Sequence, residues 1–142
     1  MSRTILFLCP HNAAKSVIAA AYFEQLATQH GLDFCVTSAG TEPDAKVATA
    51  VVEMLEKEGM DVSKYVPRYV IREELADAFR VVSLGCDVSE LAPPETAMQS
   101  TSSSEIFVYW DDVPPASQNL MVAREKIFEH VEQLIDDLKQ TS

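Results

Sequence analysis

At 142 residues, with 47% hydrophobic and 23% charged side chains, the chain has the length and composition of one globular domain able to bury a core. Eleven basic against 22 acidic residues leave a net charge of −11, which repels nucleic acid and anionic membranes as general partners. Three cysteines (Cys9, Cys35, Cys86) are too few and too scattered for a disulfide scaffold or a zinc site, and no metal or cofactor is expected. No stretch approaches the roughly 20 apolar residues of a membrane span. The first residues run straight into a strand pattern with no signal-peptide layout, so a cytoplasmic, single-domain protein over residues 1–142 is expected.

In chain order, Thr4–Cys9 is a short apolar run suited to a buried parallel strand. Ser16–His30 carries Val17, Ala20, Ala21, Phe23 and Ala27 at near-helical spacing and is stopped by Gly31. Asp33–Ser38 reads as a second strand, with Cys35 as inert core, and "AGTEPD" follows as a turn. Lys46–Glu58 puts Val47, Val51, Met54 and Leu55 on one helix face. Arg72–Ala78 reads as a short helix, Arg80–Leu84 as a third strand, and Ala92–Ser104 as a loop. Glu105–Tyr109 is the fourth strand, and after Pro114 and Pro115 a long amphipathic helix runs over Gln118–Gln140. This order predicts an α/β fold: a central four-stranded parallel sheet with helices on both faces.

The chemistry concentrates in "CPHNAAKS", Cys9 to Ser16. Ligands of open α/β sheets bind at the carboxyl ends of strands. Cys9 ends a strand, and the residues after it enter a helix whose free N–H groups and positive dipole end attract anions. The same field favours thiolate over thiol, and Lys15 adds a positive charge. Pro10, His11, Asn12, Ala13, Ala14 and Lys15 are therefore candidates to cradle an oxyanion such as phosphate, sulfate or arsenate above Cys9. The residues also fit a plainer account, a buried cysteine followed by a surface lysine.

"CPHNAAKS" resembles the C-x5-R-S loop of the low-molecular-weight protein tyrosine phosphatases and the related thioredoxin- or glutaredoxin-coupled arsenate reductases. The likeness continues through "TSAGTEP" (37–43), "VVEMLEKEGMDVSKY" (51–65), "VVSLGCD" (81–87) and "YWDDVPPA" (109–116). The resemblance implies the fold of that family, Cys9 as nucleophile, Asn12 as the residue that shapes the loop, and Ser16 as the assistant of the thiolate. Ser38 and Trp110 would support the site. Cys86 matches the cysteine with which the reductases resolve the adduct on the nucleophile, and a thioredoxin, a glutaredoxin or a small thiol would then be the reducing partner.

Two positions depart from the pattern. Lys15 stands where the family has arginine, a point charge in place of a planar fork. The acid loop lacks its Asp-Pro; Asp112, or Asp111 beside it, could substitute as proton donor, and both also fit a solvated turn ahead of the prolines. Cys86 equally fits a small residue at a strand end. His11 could donate to an oxyanion or point to solvent, His30 suits a helix C-terminus, and His130 lies far from the loop in sequence. Three readings stand: an arsenate reductase using Cys9 and Cys86, a phosphatase working through a cysteinyl-phosphate, and an oxyanion binder without turnover.

Overall fold

Four short runs rich in β-branched and aromatic residues pair into one parallel sheet, as the alternation of strands and helices predicts. The computed structural model describes residues 3–85, 107–110, 112–114 and 118–141. The strands are β1 (Arg3–Leu8), β2 (Phe34–Ala39), β3 (Arg80–Ser83) and β4 (Phe107–Tyr109), in the order β2-β1-β3-β4. β1 is paired on both sides, and Ile5, Leu6, Phe7 and Leu8 are all fully buried, which is why it reads as a continuous apolar run. The chain leaves β1 for β2 on one flank and returns to β3 on the other. The carboxyl end of β1 is therefore the point where the winding reverses, the usual place for a ligand crevice.

Helices α1 (Lys15–Gln29), α2 (Thr49–Lys57) and α4 (Leu120–Thr141) cover one face; α3 (Arg72–Asp77) covers part of the other. The larger core joins Ile5 and Phe7 to Val17, Ile18 and Phe23 of α1, Val51 and Leu55 of α2, and Ile127, Val131 and Leu138 of α4. Against the opposite face, Leu75 and Ala78 meet Leu6, Leu8 and Val81. Among the described residues this second layer is thin, and one expectation is corrected: Cys35 is exposed, not core. It lies on the edge strand, and its neighbours Phe34 and Val36 pack against the larger core, so Cys35 points to the thinly covered side. Cys86 and the expected loop over residues 92–104 lie outside the described residues.

α2 begins at Thr49, three residues later than its periodicity predicts. The preceding stretch is tied instead to the loop after β1, Glu42 N, Asp44 N and Ala48 N donating to the carbonyls of Pro10, His11 and Ala13.

A polar clamp ties the helices together. Glu58, just after α2, accepts two hydrogen bonds from Arg124 of α4 (3.0 and 2.8 Å) and lies 2.9 Å from the Tyr22 hydroxyl of α1. Arg124's hydrogen bonds, more than any other influence, hold the Glu58 carboxyl below its ordinary 4.5. Burial foremost, then the hydrogen bond to Glu58, pushes the Tyr22 phenol above its ordinary range. A carboxyl lowered in the folded state stabilises the fold fully above its unfolded value and loses that contribution as pH falls through the folded one. Glu58→Gln is thus expected to lower stability at pH 7 by about 1–2 kcal/mol and to flatten the loss of stability below pH ~4.5. Denaturant melts at pH 7 and pH 3.5 check this; an unchanged acid slope in the variant would count against the clamp.

Candidate active site

The loop between β1 and α1 is built around one buried side chain. Asn12 is fully buried and adopts φ +49°, a left-handed conformation that asparagine tolerates better than most residues. Its Nδ2 donates to Ser16 Oγ (2.8 Å) and Ser38 Oγ (3.2 Å). Its Oδ1 accepts from the Tyr65 hydroxyl (2.8 Å) and the Arg68 amide (3.0 Å). Two donors and two lone pairs are all an amide side chain has, so Asn12 is saturated. Tyr65 OH also lies 2.6 Å from Ser38 Oγ, and the Arg68 side chain is fixed by Glu74 and Thr37.

Cys9 follows β1 directly and is 3% exposed. Its Sγ accepts from the Ser16 amide at 3.4 Å, one of the first-turn N–H groups that a helix leaves without an internal acceptor. Ser16 Oγ lies 3.1 Å from the sulfur. That oxygen already accepts from Asn12, which leaves its own proton free to turn to a Cys9 thiolate. The expected pairing of Cys9, Asn12 and Ser16, with Ser38 behind them, is therefore assembled.

The loop carbonyls face outward. Those of Pro10, His11 and Ala13 are taken by the amides of Glu42, Asp44 and Ala48. With no cis peptide bond present, each N–H points opposite to the carbonyl before it, so the amides of His11, Asn12 and Ala14 turn away from that outer stretch. Among the described residues none accepts from the N–H groups of residues 11–14. Unpartnered amides clustered at a helix N-terminus bind anions. Pro10 has no N–H, so its place in the cradle is corrected: it serves through its carbonyl, by anchoring Glu42. Gly40 permits the close approach, since a Cβ there would lie 2.7 Å from the Pro10 carbonyl oxygen and 2.9 Å from that of Cys9. The glycine of "TSAGTEP" was the visible signal for this contact. Tyr65 and Arg68 gave no comparable signal.

Lys15 opens α1 and is half-buried, its ammonium reaching the carboxyl end of β3, where a Cβ on Gly85 would lie 2.9 Å from Nζ. His11 is exposed, 3.1 Å from the Glu42 carbonyl and 3.4 Å from the Asp44 carboxylate. Trp110 donates its amide to the Ser83 carbonyl (2.9 Å) and packs on Phe7, two residues before Cys9 on the same sheet face. Asp112 is turned to α4: His130 Nε2 lies 2.7 Å from Oδ1 and Lys126 Nζ 3.8 Å from Oδ2. The His130 hydrogen bond, foremost, holds the Asp112 carboxyl below its usual range, in its ionised form. His130, distant in sequence, thus stands beside two of the expected site residues. A groove of about 650 Å³ between α1, β2 and the 59–65 turn is lined by residues that include Val17, Ser38 and Tyr65, and not by Cys9.

A family model for low molecular weight phosphotyrosine protein phosphatases matches residues 4–141. A protein of Halobacterium salinarum, provisionally named an arsenate reductase, is 30% identical over 134 residues, 93% of this chain and 87% of that protein. The solved structure of an arsenate reductase in a phosphate-binding state is 30% identical, with a TM-score of 0.72 over 95% of this chain and 98% of that one. A low molecular weight phosphotyrosine phosphatase of Vibrio cholerae shares the fold at 15% identity, with a TM-score of 0.83 over 99% of each chain.

Two outcomes are expected from the loop geometry. Phosphate should protect Cys9 from alkylation by iodoacetamide, and Lys15→Ala should weaken that protection by roughly tenfold, the loss of one charge-assisted contact. Asn12→Ala removes a partner from two buried groups (Ser16, Ser38) and two half-buried ones (Tyr65, Arg68) and should cost roughly 3 kcal/mol, together with the protection. Unprotected alkylation of the intact chain, read by mass spectrometry at millimolar phosphate, would refute the cradle.

Proposed function

Because the chain belongs to the low molecular weight phosphotyrosine protein phosphatase family, we propose that it is an oxyanion-handling cysteine enzyme that reduces arsenate, with Cys9 as nucleophile and Cys86 as resolving thiol. The observation that carries the reading is the Cys9 sulfur, held by Ser16 at the base of a loop whose amides have no acceptor among the described residues. The relative of provisional arsenate reductase name supports the choice of substrate.

In this reading arsenate settles on the amides of residues 11–14, with the Lys15 ammonium balancing its charge. The Cys9 thiolate attacks arsenic and an oxygen leaves as water after protonation, giving a Cys9–S–As(V) adduct. The Cys86 thiolate then attacks Cys9 Sγ. The S–As bond breaks, its electron pair stays on arsenic, and arsenite departs as As(III). A Cys9–Cys86 disulfide remains, to be reduced by a thioredoxin, a glutaredoxin or a small thiol. A cytoplasmic setting, where thiols are kept reduced, suits such a cycle.

The second reading, phosphomonoester hydrolysis through a cysteinyl-phosphate, is favoured by the family itself and by the position of Asp112 near Trp110. It requires a proton for the leaving oxygen. Asp112, bound as a carboxylate to His130 and Lys126, is poorly prepared to give one, which weighs toward arsenate.

Arsenate, but not phosphate, is expected to drive a Cys9–Cys86 disulfide, visible as a loss of two mass units in the intact chain. Cys86→Ser should abolish arsenite release while phosphate still protects Cys9. Hydrolysis of an aryl phosphate at an undiminished rate in Cys86→Ser, with no disulfide formed in the parent chain, would instead establish the phosphatase.

A further inference from the structure

We propose that His130 is a positioning residue for this site, a protonation-dependent clasp that fixes Trp110 and Asp112 at the carboxyl end of β3. The inference rests on the reading above only in that it assigns those two residues to a working site; the contacts themselves are independent of it.

Three contacts converge on one imidazole. Its ring stacks on Trp110, with centroids 4.8 Å apart and planes 14° from parallel. Its Nε2 lies 2.7 Å from Asp112 Oδ1. Lys126, one turn earlier on α4, approaches the other carboxylate oxygen at 3.8 Å, so a single turn of helix engages both oxygens. Trp110 is in turn held from the other side by Phe7, with ring centroids 5.8 Å apart, and by its amide bond to Ser83. Phe7 and Cys9 share a face of β1, so the clasp acts on the layer that carries the thiol.

The same proton strengthens two of the contacts. An imidazolium stacks on indole with a cation–π attraction that neutral imidazole lacks. It also makes its hydrogen bond to Asp112 an ion pair. Among the described residues the charged group that meets the ring is Asp112, which Lys126 of the same helix also pairs; Phe7 of β1 and the Ser83 carbonyl of β3 hold Trp110 and bring no charge. The clasp is therefore tighter with the imidazole charged than with it neutral. No part of this requires His130 to touch the substrate.

Trp110 is the one tryptophan of the chain, so whole-protein emission reads the stack. Across a pH titration, emission is expected to rise about twofold when the quenching imidazolium gives way to the neutral ring. It should stay flat in His130→Phe, which keeps a ring on the indole and removes the charge and the hydrogen bond. At pH 6 the Trp110 amide should exchange with deuterium roughly tenfold faster in that variant, a difference that narrows by pH 8. His130→Gln serves the same comparison should the Phe variant not fold. An emission titration that survives in either variant, or equal Trp110 exchange at pH 6, overturns the inference. Absence of arsenate turnover in every variant would remove the proposed function and leave emission and exchange to decide the clasp.

Discussion

The four hydrogen bonds of Asn12 are the constraint from which the rest of the site follows. They tie the loop after β1 to the first turn of α1 through Ser16, to the end of β2 through Ser38, and to the 65–68 segment through Tyr65 and the Arg68 amide. Each of these partners is itself polar and withdrawn from water to some degree, so removing the amide would leave several groups desolvated at once. That coupling is what allows a non-glycine residue to hold a positive φ at the centre of the loop. The loop is thus anchored from within by a fully buried side chain, although His11 on its outer side is exposed.

With the loop fixed, its two surfaces separate by function. Carbonyls go outward to the 42–48 stretch, amides remain for a ligand, and the sulfur sits where a helix amide and a serine oxygen meet. The chain's charge of −11 would repel an anion at long range. Attraction must then come from dipoles within a few ångströms and from Lys15, both of which act below the screening length. A site of this kind holds an oxyanion by geometry more than by field.

The fold and the loop were legible in the sequence because both are written in local patterns. Strand runs, helix periods and a thiol placed at a strand end need only neighbouring residues to be recognised, and the four-stranded parallel sheet follows from their order. The misread elements share a different cause. Residues 46–48 fit the helical period, yet the Ala48 amide is claimed by the Ala13 carbonyl, 35 positions away in the chain. Cys35 alternates like a core residue, but the face it points to is covered, among the described residues, by one short helix. Tyr65, Arg68 and His130 reach the site only through the tertiary fold, and no spacing in the chain announces them.

Lys15 and Asp112 show how two departures from a family pattern can belong together. Guanidinium, in place of Lys15, would offer two parallel donors to the equatorial oxygens of a phosphoryl group in transit, a benefit realised in the transition state of phosphoryl transfer. Lysine gives charge without that fork, and its ammonium is drawn toward Gly85 at the end of β3. Asp112, held ionised by His130, lacks the proton that a leaving alkoxide would need. Both changes weaken ester hydrolysis at its two demanding points, the planar phosphoryl group and the leaving oxygen. Thiol attack on arsenate is expected to tolerate both changes better, since the oxygen it expels leaves as water rather than as an alkoxide, and a supported sulfur and a bound tetrahedral anion remain its main needs. A site that had only decayed would be expected to lose its buried supports as well, since nothing would then preserve them. Here Asn12 is hydrogen-bonded to Ser16 and Ser38, and no buried side-chain nitrogen or oxygen among the described residues lacks a partner, which supports the proposed change of chemistry over simple decay.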